Sequence, residues 1–163
     1  MLTQSRLREM LHYSEGTGVF VWLKAPGRNF KYRGKPAGYL GPDGYLYIGI
    51  DRAIYLAHRL AWFYVFDKWP DEQIDHVNRS KSDNKLSNLR EANTVQNGHN
   101  VGLQSRNTSG VRGVDWRPDR ARWRARLMVG KTDLSLGNFS DFFEAVCARK
   151  SAEHRHYGEY APR

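Results

Sequence analysis

The feature that most constrains this chain is a polar stretch of 27 residues, IDHVNRSKSDNKLSNLREANTVQNGHN, at positions 74–100. It contains six asparagines and an adjacent Asp75-His76 pair, and it offers few apolar side chains for a core. A plain loop can be this polar, but it needs neither the Asp-His pair nor the SNLR segment that leads into a second polar run. The pattern therefore indicates a site with a chemical function.

Composition narrows the classes of partner. The chain has 163 residues, of which 40% are hydrophobic and 13% aromatic, so it can bury a core as one ordinary domain or two small ones. Its formal net charge of +9 favours a polyanionic partner such as nucleic acid, although a solvated basic surface or attraction to acidic lipid would give the same charge. Positive charge is denser in residues 101–163, with 12 Lys and Arg against 7 Asp and Glu, than in residues 1–100, with 14 against 10. We expect the C-terminal third to bind on its own account.

Cysteine usage and hydropathy indicate a soluble protein. Cys147 is the only cysteine, which excludes an intrachain disulfide and a cysteine-rich structural zinc site and fits a reducing cytoplasm. Charged residues interrupt the N-terminal run, so no signal peptide is predicted. The most apolar stretch, residues 55–66, is too short to span a bilayer.

Periodicity divides the first seventy residues into short elements. LTQSRLREMLHY has helical spacing, GTGVFVWLK predicts a strand, and GYLGPDGYLYIGI predicts a hairpin about its Pro-Asp-Gly turn. AIYLAHRLAWFYVF is apolar on nearly all sides, which predicts a buried helix that ends at Trp69-Pro70, where proline prevents continuation.

The pattern changes after residue 100. Residues 101–109 predict a linker, followed by strands in GVRGVDW, RARWRARLMV and LSLGNF and a helix with Ser140 as N-cap and Gly158 just past its end. In the second strand, period-two alternation separates an apolar face from an arginine face. The residues expected to lie in this core include Trp123, Phe139, Phe143 and Cys147.

The residue types of the polar stretch suit phosphodiester hydrolysis. A neutral imidazole can activate a water, and a divalent cation on oxygen ligands can stabilise the developing charge. Magnesium prefers carboxylate and amide oxygens and keeps several waters, so two protein ligands are enough. Asp75, His76 and Asn97 supply one carboxylate, one imidazole and one amide.

The whole string, preceded by YLAHRLAW, resembles the HNH endonucleases of the phage and intron homing type over residues 55–100. The resemblance implies an α+β chain with a ββα-metal nuclease core preceded by β-hairpins. It assigns His76 as general base, Asp75 and Asn97 as ligands of Mg²⁺ (Mn²⁺ is the alternative), and Asn88 as the residue that holds the loop and orients His76. The products would carry a 5′-phosphate and a 3′-hydroxyl. Four basic side chains are expected to contact DNA phosphates: Arg79, Lys81, Lys85 and Arg90.

Other polar residues of this region are expected to have structural rather than catalytic roles. Asp83 and Asn84 are expected to shape the loop, and His58 is expected to be a core or near-phosphate residue rather than a ligand. Arg79 stands where the related nucleases usually have glycine, which is unfavourable if that backbone needs a positive φ. Either Asn78 takes the strained position or the turn differs.

Residues 110–163 resemble the APETALA-type (ethylene-response-factor) DNA-binding domain through RGV, the Trp of RWRARL, LGNF and an Ala-rich helix. The resemblance implies a three-stranded sheet that enters the major groove with a helix packed behind it. Asp115 stands where the plant domains have arginine, so the base specificity does not transfer. The arginines expected to contact DNA are Arg112, Arg117, Arg122, Arg124 and Arg126.

These patterns together predict a two-part DNA endonuclease, with residues 1–100 cutting double-stranded DNA and residues 110–163 selecting the site. One HNH site per chain fits a nick by a monomer or a double-strand break by a homodimer. A phage or prophage origin, with the protein in the bacterial cytoplasm and no membrane partner, follows from the resemblance. A catalytically inactive DNA-binding regulator is the main alternative, and an RNA-binding accessory protein lacks a recognisable aromatic RNA motif.

Overall fold

The computed structural model describes residues 1–24 and 30–162. The chain divides into two compact units, Met1–Asn93 and Thr94–Arg163, and the fold is α+β with several small antiparallel sheets. The division by contacts falls before residues 94–100, which the sequence pattern groups with the nuclease segment, so the predicted functional boundaries at 100 and 110 stay a prediction. No helix in the described part of the chain is long and apolar enough to cross a membrane.

The first unit is built from short elements joined by tight turns. The elements are α1 Gln4–Met10, β1 Leu11–Ser14, β2 Val19–Trp22, β3 Tyr39–Leu40, β4 Leu46–Ile50, β5 Ala53–Leu56, α2 Ala57–Phe66, β6 Gln73–His76 and β7 Leu89–Ala92. A two-stranded sheet pairs β1 with β2, a three-stranded sheet has the order β3-β4-β5, and a further pair joins β6 to β7.

One core holds these elements together. Leu7, Leu11, Phe20, Ile48 and Leu60 are completely buried and come from five different elements. Each such side chain contributes about 1.5–3 kcal/mol through its burial. The core therefore fixes the sheets around α2, although most of them have only two or three strands.

The predicted buried helix is shorter than its apolar run. Residues Ala53–Leu56 form β5 because they pair with β4 across a tight turn at Asp51 and Arg52, both at positive φ. The helix ends at Phe66, before the predicted stop at Trp69-Pro70, because Asp67 adopts a left-handed conformation with φ 53° and its N–H bonds the Phe63 carbonyl.

The second unit is a three-stranded sheet covered by one long helix. Its elements are α3 Thr94–His99, β8 Val114–Arg117, β9 Arg122–Val129, β10 Thr132–Phe139 and α4 Phe142–Tyr157. The strand order is β10-β9-β8, and the face that carries Val114, Ala125 and Leu127 is buried, with α4 packed against the sheet. The predicted alternation in β9 is confirmed, because its arginines alternate with these buried residues.

Several sequence expectations for this unit were wrong in detail. The N-cap of α4 is Asp141 rather than Ser140, since its carboxylate accepts a hydrogen bond from the Glu144 N–H. Phe143 is 72% exposed and Cys147 is also exposed, so neither lies in the core. A helix with only one sheet to cover keeps its outer face in solvent, and both residues lie on that side.

Candidate active site

The β6-β7 pair positions the Asp-His dipeptide. Ile74 and Leu89 are buried in the core and anchor the two strands. Asp75 lies opposite Arg90, and His76 lies opposite Leu89, with the intervening loop at the end of the hairpin. Asp75 is 5% exposed and His76 is 4% exposed, so both polar side chains lie in a largely dry environment.

Asn88 cross-links the loop between these strands. Its Oδ1 accepts a hydrogen bond from the Asn78 N–H (2.9 Å), and its Nδ2 donates to the Asp83 carbonyl (2.7 Å). Asn78 in turn donates through Nδ2 to the Asp83 carboxylate (2.8 Å). Asn88 therefore binds two backbone groups of the loop, and its side chain makes no bond to His76.

The imidazole is held by Asn84 instead. Asn84 is 1% exposed, and its Oδ1 lies 3.1 Å from His76 Nε2. Because the Asn84 Nδ2 donates to the Ser82 carbonyl, its oxygen faces the ring and Nε2 must carry the proton. That tautomer leaves the lone pair on Nδ1, the atom that can accept a proton. Asn84 was expected only to shape the loop, and the structure instead places its amide oxygen on the imidazole.

Burial keeps His76 neutral. Burial lowers the pKa of His76, and the hydrogen bond to Asn84 opposes the shift only in part. His58, buried on α2, contacts His76 edge to face with ring centroids 5.1 Å apart, and Tyr45 lies 5.1 Å from His58. Burial, with the nearby His76 and Arg59, lowers the pKa of His58 to about 3. A neutral imidazole is the form that a general base requires.

The position usually taken by glycine is strained here. Arg79 itself adopts φ 64°, and its N–H bonds the His76 carbonyl (2.8 Å). The expectation that Asn78 would take the strain or that the turn would differ was therefore wrong. A left-handed non-glycine residue costs about 1–2 kcal/mol. The hydrogen bond to the His76 carbonyl holds Arg79 in this conformation, in the turn that follows β6.

Asp75 is paired with the partly buried guanidinium of Arg90. Arg90 Nη2 lies 2.7 Å from Asp75 Oδ2, and the two side chains are 15% and 6% exposed. Arg90 was expected to contact a phosphate, and the structure places its guanidinium on the carboxylate. Of the other predicted contacts, Arg79, Lys81 and Lys85 are exposed, and Lys81 also lies 4.7 Å over the Tyr45 ring.

The donor chemistry at Asp75 suits a hard cation. No group of three His, Cys, Asp or Glu side chains that could hold a metal occurs within the described ranges. A carboxylate assisted by an amide oxygen and water matches the preference of magnesium. Asn97, the predicted amide ligand, lies on α3, which belongs to the second unit.

The five arginines predicted to bind DNA do not all lie on the same face of the sheet. Arg112 precedes β8 rather than lying on it, and it donates to the carbonyls of Gly98 and His99 at the end of α3. The other four lie on β8 and β9, on the sheet face opposite α4: Arg117, Arg122, Arg124 and Arg126. On that face, arginines are paired with aspartates, as in the Arg124–Asp115 ion pair at 3.0 Å.

Comparison with known proteins supports a nuclease in the segment that contains Asp75 and His76. Residues 55–99 match the family model of the HNH endonucleases, which generally use a divalent metal. Protein 3.8 of Escherichia phage T7 is 37% identical over 54 residues, which are 33% of this chain and 45% of that relative. The chain thus matches less than half the length of this curated relative, and no solved structure matches it. The family match supports a nuclease that acts on DNA, whereas the APETALA-type resemblance stays a prediction.

Proposed function

We propose that this protein is a metal-dependent DNA endonuclease in which His76 is the general base. The observation that carries the proposal is the imidazole itself, which lies within the HNH segment and is buried, neutral and oriented by Asn84. Adjacent Asp75 supplies the carboxylate that the chemistry requires. Together they provide a proton acceptor and an anionic ligand at the end of one hairpin.

The tautomer of His76 determines its part in the reaction. With Nε2–H held on Asn84, the lone pair of Nδ1 takes a proton from the attacking water as the new P–O bond forms. The P–O3′ bond breaks, the leaving oxygen takes a proton from water to become the 3′-hydroxyl, and the phosphate stays on the 5′ end. Asp75 and Asn97 would hold a divalent metal, for which Mg²⁺ is the expected ion and Mn²⁺ the alternative. The metal would stabilise the charge on the phosphate. The Arg90 guanidinium balances the negative charge of Asp75.

DNA positioning is proposed to involve both units. Arg79, Lys81 and Lys85 are exposed on the loop that follows His76, and they would hold phosphates beside the site without reading sequence. Residues 110–163 would select the site through the arginine face of their sheet. The likeness to a phage protein supports a phage-encoded gene.

Plasmid cleavage tests the proposal. Purified protein should nick or linearise supercoiled plasmid with magnesium, and EDTA should abolish this. His76→Ala should lower the cleavage rate by about 10²–10⁴-fold, the usual contribution of a general base. His12→Ala changes an exposed histidine on β1 and should cleave like the wild type.

The controls separate the enzyme from a binding protein. Unchanged cleavage by His76→Ala would contradict the assignment of the base. Binding in a gel shift without cleavage in any metal would favour the inactive regulator. The ratio of nicked to linear product would distinguish single-strand from double-strand cutting.

A further inference from the structure

Asp115 fixes the orientation of an arginine on the exposed sheet face. The two residues lie opposite each other on β8 and β9. Arg124 Nη2 lies 3.1 Å and 3.0 Å from the two carboxylate oxygens of Asp115, and its Nε lies 3.3 Å from Oδ1. Both side chains are about one-third exposed, so the pair faces solvent while its geometry is set by three contacts.

A second arginine shares the same carboxylate. Arg126 Nε lies 3.9 Å from Asp115 Oδ1, and its Nη1 lies 3.1 Å from Asp133 Oδ2. These residues line an open groove of about 450 Å³. Two of the guanidinium groups that line the groove, those of Arg124 and Arg126, are therefore held in place by adjacent carboxylates.

The charge of this face differs from that of the chain. Arg117, Arg120, Arg122, Arg124 and Arg126 contribute +5, and their neighbours Asp115, Asp119 and Asp133 contribute −3, which leaves +2 on a chain of net charge +9. A surface that only neutralises phosphates gains from unpaired cations. Ordered arginines on a nearly neutral surface gain little from phosphates but lose little conformational entropy when they bind a base edge.

We propose that Asp115 is a specificity-determining residue for double-stranded DNA that carries a guanine opposite Arg124. Asp115 holds the guanidinium of Arg124 in an orientation from which it can donate two hydrogen bonds, to O6 and N7 of guanine. The remaining lone pairs of the Asp115 carboxylate accept a hydrogen bond from the amino group of a neighbouring cytosine or adenine. Its negative charge also weakens attraction to phosphates, so that non-specific binding is held down. This inference rests on the proposed role of the second unit in DNA binding.

Binding selection from a randomised duplex library tests the inference, with full-length protein and EDTA present to prevent cleavage. Asp115→Ala should reduce discrimination at the guanine position by about 5- to 100-fold, the range expected for one bidentate base contact, and should raise affinity for unrelated DNA. Asp119→Ala is the matched control because it removes the same charge from a turn, where Asp119 pairs with Arg117. It should raise non-specific affinity and leave the guanine preference opposite Arg124 intact.

The outcomes separate this inference from the proposed function. If Arg124→Ala loses the guanine preference while Asp115→Ala and Asp115→Asn keep it, Asp115 does not determine specificity, although the sheet still reads DNA. If the wild type selects no sequence and the Asp115 and Arg124 variants bind DNA as the wild type does, the second unit does not target the nuclease. The proposed targeting role and the inference about Asp115 would then both be wrong, whereas the cleavage assay would still decide whether the protein is a nuclease. Circular dichroism of each variant excludes misfolding as the cause.

Discussion

Single residues decide how the imidazole of His76 is oriented. Two asparagines of the same loop have different parts in this. Asn84 bonds the ring and Asn88 bonds the backbone around it. The resemblance assigned both tasks to Asn88. The difference matters because the residue that accepts from Nε2 also sets which nitrogen is the base.

Asn84→Ala should slow cleavage by about 10- to 100-fold, less than loss of His76 itself, because the imidazole stays but its tautomer is no longer selected. The buried N–H left without an acceptor should also lower the free energy of unfolding by about 1–3 kcal/mol. Rates are compared at equal folded fractions. Asn78→Ala is the control, since it disturbs the same loop without touching the ring. Equal losses in both variants would assign Asn84 only a structural role.

Arg79 offers a test of strain against function. Arg79→Gly should raise the free energy of unfolding by about 0.5–1 kcal/mol, because glycine relieves the left-handed backbone but gains unfolded-state entropy. It should also weaken DNA binding and reduce the salt dependence of binding by about one phosphate contact. Arg52→Gly is matched in residue type and φ, at 66°, and should give the stability gain alone. A weakening of DNA binding by both variants would argue against a phosphate contact by Arg79.

Among the elements, the β1-β2 hairpin supports the active-site loop. Tyr13 donates through its hydroxyl to the Asn84 carbonyl (2.7 Å), and the Leu86 N–H bonds the Glu15 carbonyl (3.2 Å). The turn between these strands contains Gly18, whose φ is 74° and whose Cα faces the backbone of Asn84 and Lys85. The hairpin therefore holds the residue that orients His76.

Gly18→Ala should lower the free energy of unfolding by about 2–4 kcal/mol, because its Cβ would clash with the Asn84 backbone at a backbone conformation that disfavours alanine. Cleavage should fall together with stability as the loop moves. Gly16→Ala lies in the same turn, where the described residues leave its Cβ unobstructed, and should change stability by less than about 0.5 kcal/mol. Urea unfolding and plasmid cleavage measure both effects. Wild-type activity in folded Gly18→Ala protein would show that the loop does not depend on this hairpin.

At the scale of the whole molecule, stability should depend on pH through a buried imidazole. The pKa of His58 is about 3 in the folded protein, against an ordinary value of 6.5. The unfolded chain therefore binds a proton below about pH 6.5 that the folded protein excludes. The stabilisation is present above that pH and is lost as the pH falls, by about 1.4 kcal/mol per pH unit for one such group. Burial also lowers the pKa of His76, so this residue likewise makes the folded protein less stable as the pH falls.

Urea unfolding between about pH 7 and pH 4.5 measures this slope. His58→Phe keeps an aromatic ring against His76 and Tyr45 and should reduce the slope by close to one proton. His12→Gln removes an exposed histidine and should leave it unchanged. If His58→Phe retained the full wild-type slope, proton uptake on unfolding would have to come from other groups.

Local pattern was enough for much of the architecture. Period-two alternation predicted the arginine face of β9, turn chemistry predicted the β3-β4 hairpin, and Gly158 marked the end of α4. Boundaries failed where an apolar run continued through two elements, as at β5 and α2. Hydropathy alone does not show where pairing with a neighbouring strand replaces helical hydrogen bonding.

The sequence by itself determined the HNH segment and its Asp75-His76 pair, because adjacent residues and their spacing are properties of the chain. Only the tertiary structure decided that Asn84 meets the imidazole, that Arg90 lies on Asp75, and that Asp115 holds Arg124. The two ion pairs join residues opposite each other on antiparallel strands. The asparagine contact requires the loop between β6 and β7 to fold back so that Asn84 reaches His76. Register and burial set such partners, and neither is encoded in the spacing of any single segment.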